Sequence, residues 1–366
     1  MAISFAVEDK GILPDRMIEQ LAAQGAILPA YDFAPDQIQP ASLDLRLGDI
    51  AYRVRASFLP GTTTVAKRID ELKLHEFSLT DGAVLETGCV YIVPLLESLA
   101  LPDDIAAAAN PKSSTGRLDV FTRVIADQLR GFDRIERGYH GPLYAEISPR
   151  TFPVLVREGS RLSQIRFRRG HALLSADALR ELHARERVVD SDNADVSDGV
   201  AVGVDLSGLG PGGLVGYRAK RHTGLIDVER RAGYAIADYW EPIAARPDKS
   251  LILDPNEFYI LASKEAVQVP PDYAAEMVPF DPLVGEFRVH YAGFMDPGFG
   301  HAAAGGAGAR VVLEVRSHKV PFVLEDGQVI GRLVYERMSE VPEVLYGAGL
   351  KSNYQAQGLK LSKHFR

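Results

Sequence analysis

The chain has 366 residues, 46% of them hydrophobic and 25% charged, with a formal net charge of −8. At roughly 150 residues per domain this is a soluble globular chain of about two domains, and the composition excludes fibrous and disordered classes. The acidic balance excludes a broad basic nucleic-acid surface; a small anion needs only a local cluster of cations and backbone N–H groups.

The start, MAISFAVEDKGILPD, has no basic segment leading into an apolar one, and no run of about 18 apolar residues occurs, so a cytoplasmic protein without membrane association is expected. Residues 14–24, PDRMIEQLAAQ, place Met17, Ile18 and Leu21 on one face and read as a helix with Pro14 in its first turn. Short β segments follow at Val90–Leu95, Leu143–Ile147 and Gln164–Arg168, broken by Gly, Pro and Asp. Cys89 is the sole cysteine, which rules out an intramolecular disulfide and a cysteine-based zinc site, and its apolar setting, GCVYIV, suits a buried small residue.

A second helix is predicted over 175–187 with Ser175 as N-cap. The acidic stretch DSDNADVSDG (190–199) then reads as a linker, dividing the chain into domains 1–190 and 201–366 about a linker at 191–200. Further β segments lie at Phe258–Ala262, Val311–Val315 and Val329–Tyr335. The spacing is that of a mainly β fold, barrel or sandwich, with a few short helices.

An internal repeat organises these elements. Segment 91–111 lies without gaps over 259–279, pairing Tyr91 with Tyr259, Glu97 with Glu265, Pro102 with Pro270 and Asp104 with Asp272. The same offset of 168 recurs for Glu146 and Glu314, Pro153 and Pro321, and Gly159 and Gly327. The copies differ in one informative place. Copy one has KSSTGR (112–117); copy two has Phe280, Asp281, Pro282, Leu283, Val284 and Gly285, and further on AGFMDPGFG (292–300).

KSSTGR offers hydroxyls and backbone N–H groups with Lys112 and Arg117 beside them, which suits phosphate, although the spacing is not that of a P-loop. Read alone, it is equally a solvated turn with a serine cap. In GPLYAEISPR, alternation puts Leu143, Ala145 and Ile147 on one face and Tyr144, Glu146 and Ser148 on the other. On the inner face of a small barrel the Glu146 carboxylate would need a partner, and such groups serve as general acids or bases; otherwise that face is simply wet. The nine histidines are scattered and no H-x-E occurs, so no protein metal site is expected. The tail LYGAGLKSNYQAQGLKLSKHFR (345–366) is basic and glycine-punctuated, either disordered or a lid over an anionic ligand.

Together, QPASLDLRLGD (39–49), KSSTGR, GYHGPLYAEI (138–147) and the Tyr346–Gly358 tail resemble the dCTP deaminase family, relatives of the trimeric dUTP pyrophosphatases, in a long tandem-domain form. The resemblance covers most of both halves and implies tandem dUTPase-like distorted β-barrel or jelly-roll domains. It implies hydrolytic, zinc-independent deamination of dCTP to dUTP and ammonia, feeding dUMP and dTTP synthesis. Glu146 falls on the family's proton-shuttling glutamate, and Ser113 and Arg117 on residues that hold the attacking water and the cytosine end.

Lys112 and Ser114 fall on triphosphate-facing positions, Lys112 replacing the usual Arg and losing its fork of donors. Tyr144 and Ala145, beside Glu146, are carried over as substrate-binding, as are Tyr346, Tyr354 and Gln357 in the tail. Asn353 stands where Lys is usual, with Lys351 as the substitute charge. After Arg117 the chain is longer than the family pattern and offers Asp127 or Asp133 toward the deoxyribose, Asp133 being the assigned residue. Mg²⁺ accompanying the triphosphate, dTTP as a feedback ligand and a homotrimer are further implications, with copy two supplying the tail. The alternatives are a dUTP pyrophosphatase, a bifunctional enzyme that forms dUMP, and a non-catalytic deoxynucleotide-binding regulator.

Overall fold

The structure is a computed structural model that describes residues 10–209, 212–279, 287–290, 293–317, 319–347 and 358–366. It is mainly β and divides into two units, the first of 1–172, 224–231 and 337–343, the second of 173–223, 232–336 and 344–366.

The first unit is built on two six-stranded sheets. One runs Arg134–Ile135, Ile105–Pro111, Ser163–Arg169, Ser42–Leu45, Ile38–Gln39, with Gly11–Ile12 also paired to Ser163–Arg169. The other runs Val120–Ala126, His140–Pro149, Val90–Ala100, Ile50–Val54, Lys73–Ser78, with Ile27–Pro29 paired to Val90–Ala100. Leu43, Ile105, Ile165 and Phe167 of the first sheet meet Leu99, Val124, Ala126 and Leu143 of the second in one buried cluster. The helix Asp15–Ala23 adds Met17, Ile18 and Leu21 to it, as its spacing predicts. A smaller cluster lies on the opposite face of the second sheet, where Val54, Ile92, Ile125 and Tyr144 pack with Val65 and Ile69 of the helix Val65–Leu72.

The second unit repeats this plan. The strands Val90–Ala100 and Ile105–Pro111 recur as Phe258–Val267 and Tyr273–Pro279, offset by 168. Even a side-chain bond recurs: the Tyr91 hydroxyl accepts from the Glu86 N–H at 3.1 Å, and Tyr259 from the Asp254 N–H at 2.9 Å. Gly159 and Gly327 both turn through positive φ, 83° and 79°, a conformation that favours glycine.

The division falls at 172/173, ahead of the helix Ala176–Glu186, where the sequence reading placed a linker at 191–200. The reason is packing: Leu179, Leu182, Val188 and Val189 belong to the core of the second unit. The 190–200 segment is tied down too, since Asp190 accepts from the Ala266 N–H at 2.9 Å and Asp195 from Arg332 at 2.7 Å. Two excursions were not foreseen. Ile226–Asp227 pairs parallel with Val154–Val156 in the first unit, and the Arg157 guanidinium holds the Asp227 carboxylate through two bonds of 2.8 and 2.9 Å. In 337–343, Glu340 accepts from Arg16.

The tail 345–366 was expected to be either disordered or a lid; its last residues, 358–366, are packed, and 348–357 lie outside the described residues. Phe365 lies 5.4 Å from the Tyr239 ring and 5.7 Å from Trp240, and Leu361 and His364 are buried. No helix among the described residues is long and apolar enough to cross a membrane.

Candidate active site

The KSSTGR loop is a single helical turn, Ser113–Gly116, leaving the end of the Ile105–Pro111 strand. Ser114, Thr115 and Gly116 are buried and the Arg117 side chain is 3% exposed, so the solvated-turn reading is overturned. The turn ends on Asp119 with φ 56°, a left-handed conformation that Asp tolerates better than most residues. The Thr151 hydroxyl donates to the Asp119 carboxylate at 2.6 Å and the Arg150 N–H to its carbonyl at 2.9 Å. Those bonds tie the turn to the residues just beyond the His140–Pro149 strand.

Lys112, just before the turn, forms an ion pair with the buried Asp44 of QPASLDLRLGD. Asn110 and Asp44 both lie opposite Gln164, so Lys112, two residues beyond Asn110, starts within side-chain reach of Asp44. Arg161 adds a second cation to the same carboxylate at 3.5 Å and reaches Asp36 at 2.8 Å. Two residues along, Arg46 donates to the fully buried Glu97 at 2.7 Å, and Gln37 donates to the same Glu97 oxygen at 2.8 Å. Asp44 and Arg46 of the 39–49 motif thus serve as buried charge partners, Asp44 toward Lys112 beside the Ser113–Gly116 turn and Arg46 toward the framework.

Glu146 is 2% exposed. Its ladder neighbours are Arg123 on one side and Ile92 on the other. Alternation separates the faces as expected, but the inner-face expectation is corrected. Leu143 enters the main core, while Tyr144, on the Glu146 side, packs under the helix Val65–Leu72. That face is not wet. Arg123 donates through Nε at 3.1 Å and through a terminal nitrogen to the same oxygen, Oε1 of Glu146. Oε2 is buried and has no hydrogen-bond partner among the described residues.

Arg123 was missed by the sequence reading. The available signal was VFTRVIA, whose alternation sets Phe121, Arg123 and Ile125 on one face.

The remaining predicted residues fall as follows. Tyr144 is 9% exposed, and burial pushes its hydroxyl up. Ala145 is fully buried opposite Val124. Asp133, at φ 60°, accepts from the Val124 N–H at 2.7 Å, so its carboxylate fastens a loop to the strand edge. Asp127 accepts from the Val65 N–H at 2.7 Å, at the start of the helix Val65–Leu72. Tyr346 belongs to the second unit. Its N–H donates to the Pro297 carbonyl at 2.8 Å and its ring lies 5.9 Å from Phe299, on the DPG turn. Gly298 is required in that turn: its φ is 96°, and a Cβ would meet Leu345 and Tyr346 at 3.0 Å. Lys351, Tyr354 and Gln357, with Asn353 and the copy-two loop Phe280–Gly285, lie outside the described residues. Among the described residues no group of three or more His, Cys, Asp and Glu could hold a metal.

Family models match both units. That of the 2'-deoxycytidine 5'-triphosphate deaminase N-terminal domain matches residues 9–171, and that of the C-terminal domain matches 175–365. The chain belongs to the dCTP deaminase family. It is similar to a solved 2'-deoxycytidine 5'-triphosphate deaminase from Agrobacterium tumefaciens, at 63% identity and a TM-score of 0.89 over 93% of this chain and 99% of that one. A relative from Methanothermobacter thermautotrophicus named "dCTP deaminase, dUMP-forming" is 32% identical over 159 residues, covering 43% of this chain and 78% of its own. One from Haloarcula marismortui named "dCTP deaminase" is 32% identical over 162 residues, covering 43% of this chain and 79% of its own. The family boundary between 171 and 175 agrees with the unit division at 172/173.

Proposed function

We propose that this chain hydrolyses the exocyclic C–N bond of dCTP, converting dCTP and water to dUTP and ammonia, in the cytosol. The observation that carries the reading is the Glu146 carboxylate, buried, with one oxygen held by Arg123 and the other open among the described residues. A buried acceptor left unpaired is costly in the folded protein and is commonly retained for a ligand. Here the ligand is the attacking water.

In this proposal water held by the Ser113 hydroxyl gives its proton to Glu146 as it adds to C4 of the cytosine. Glu146 passes that proton to N3, takes the second proton from the added hydroxyl and delivers it to the departing amine. C4 becomes a carbonyl and ammonia leaves. Arg117 offsets the charge that develops on the ring and Lys112 and Ser114 meet the triphosphate, whose Mg²⁺ arrives with the substrate. Tyr144 and Ala145 border the base, and Tyr346, Lys351, Tyr354 and Gln357 belong to the closing segment. A homotrimer with dTTP as feedback ligand completes the reading.

One observation favours a second product. The Methanothermobacter relative is named dUMP-forming, and an enzyme of that kind would release pyrophosphate as well as ammonia. Incubation of the purified chain with dCTP and Mg²⁺, resolving ammonia, dUTP and dUMP, tests both. Ammonia with dUTP supports the first reading, ammonia with dUMP and pyrophosphate the second, and no ammonia from any cytosine deoxynucleotide sinks both.

A further inference from the structure

The ion pair between Arg123 and Glu146 is unusual in how little of the carboxylate it uses. An arginine that meets a carboxylate squarely donates in parallel to both oxygens. Here Nε and one terminal nitrogen both address Oε1, and Oε2 stays open among the described residues. The guanidinium is held in that oblique pose from several sides. The nitrogen that meets Glu146 also donates to the Ser57 hydroxyl at 3.0 Å. The guanidinium carbon Cζ lies over the Phe132 ring, 3.4 Å from its centre, and 4.7 Å from the centre of the Phe121 ring. Stacking on aromatic faces is a geometry that guanidinium adopts and ammonium does not reproduce.

The fold does not demand this pair. In the second unit the strands Phe287–His290 and Ala309–Ser317 repeat the same ladder, and the residue opposite the buried Glu314 is His290. A buried glutamate at this ladder position is therefore compatible with a different cross-strand neighbour, and the arginine is specific to the copy that holds KSSTGR.

We infer that Arg123 is a positioning residue for the proposed base: by occupying Oε1 and locking the carboxylate plane, it confines proton transfer to Oε2. The inference rests on the reading of Glu146 as the proton carrier. Without Arg123, the carboxylate would rotate, both oxygens would compete for water, and a buried charge would lose its counterion. Substrate grip, assigned to the KSSTGR turn and the closing segment, would be untouched.

The test compares Arg123→Ala, Arg123→Lys, Phe132→Leu and Glu146→Gln in the full chain, measuring kcat and KM for dCTP, with thermal melting as the check on folding. For Arg123→Ala, kcat should fall by roughly 10²-fold while KM changes little. Arg123→Lys should recover part of the loss, since Lys restores charge without the stacked plane. Millimolar guanidinium ion should raise kcat of Arg123→Ala and leave Glu146→Gln unchanged, a response that a purely structural role would not give. Should Arg123→Ala fail to fold, Phe132→Leu, which keeps an apolar side chain against the Val65–Leu72 cluster but removes the ring over Arg123, should lower kcat several-fold at constant KM in a variant that melts like the parent. A folded Arg123→Ala with kcat near that of the parent overturns the inference. So does a folded variant whose kcat and KM fall together without rescue, or an unaffected Phe132→Leu where Arg123→Ala does not fold. An active Glu146→Gln would instead sink the reading of Glu146 as base, so the two failures are told apart.

Discussion

Glu314 stands in the second unit where Glu146 stands in the first: each lies opposite an isoleucine, Ile260 and Ile92 respectively, in ladders related by the 168-residue offset. Both carboxylates are buried, at 6% and 2% exposure, yet only Glu146 is joined in sequence to a KSSTGR turn. Duplication thus supplies an internal control. Glu146→Gln should lower kcat for ammonia release by on the order of 10²- to 10⁴-fold with dCTP binding retained. Glu314→Gln should leave kcat within about twofold, a difference too small for the loss of an acid/base group. Equal losses in folded variants, by coupled ammonia assay and nucleotide titration, would mean that the two positions do the same work.

The Lys112–Asp44 pair yields a prediction of another kind. Asp44 is buried and Lys112 only partly so, with Arg161 as a further cation on the same carboxylate. Lys112→Met should raise KM for dCTP about tenfold or more while kcat moves less, because the ammonium is assigned to uniform binding of the triphosphate. It should also destabilise the fold, since Asp44 loses its nearest counterion. Lys112→Arg should restore binding. If Lys112→Met lowers stability but leaves KM alone, Lys112 is a structural counterion and not a phosphate ligand. Steady-state kinetics beside thermal melts separate the two.

The offset of this duplication, though not its boundary, was legible because a β strand announces itself locally: Tyr91 and Tyr259 lie at equivalent places in their strands, and the offset carries through both. The helices at 14–24 and 175–187 were legible for the same reason, from apolar spacing and a serine cap; the Ser175 hydroxyl accepts from the Ala178 N–H at 3.3 Å. What escaped depended on partners far along the chain. The pairing of Arg123 with Glu146 spans 23 residues and exists only in the ladder register. The acidic 190–199 run has the composition of a linker, and its long-range ties to Arg332 and the Ala266 amide, unlike its local ones to Arg187 and Ser197, exist only in the folded second unit. The face occupied by Glu146 also needed tertiary knowledge, because alternation separates two faces without saying which one meets the core.

Asp127 and Asp133 were indistinguishable in sequence as candidates for the sugar. Both carboxylates are hydrogen-bonded, Asp127 to the Val65 N–H and Asp133 to the Val124 N–H. Asp127→Ala should destabilise the first unit by about 1 kcal/mol, the usual cost of a lost helix-terminus acceptor, while preference for dCTP over CTP is kept. Asp133→Ala should also loosen the loop that leads toward Tyr139, because it removes the carboxylate that accepts from the Val124 N–H at 2.7 Å and leaves only the backbone bond from the residue 133 N–H to the Val124 carbonyl at 2.9 Å. Competition assays between dCTP and CTP read this directly. A loss of discrimination in folded Asp127→Ala would assign the deoxyribose contact to Asp127 after all.

The 190–200 segment carries the pH prediction. The Arg332 guanidinium and the Ser197 hydroxyl and N–H hold the Asp195 carboxyl well below the usual carboxylate range. A carboxylate whose pKa is depressed in the folded state contributes stability that is fully present above its unfolded pKa, about 3.9, and is lost as pH falls from there. The side chain is about half exposed, so the contribution at neutral pH should be no more than about 1 kcal/mol. Asp195→Asn should remove most of it. Amide exchange is the suitable measurement, because the Ala201 N–H donates to the Asp195 carbonyl at 2.8 Å and reports on the opening of this segment alone. At neutral pH the variant should exchange several-fold faster at Ala201 than the parent, with the difference shrinking progressively as pH falls below about 4 and vanishing only once the carboxyl protonates in the folded state, well below the usual carboxylate range. Equal exchange at neutral pH would show that the segment is held by its backbone contacts and that the pair with Arg332 adds nothing.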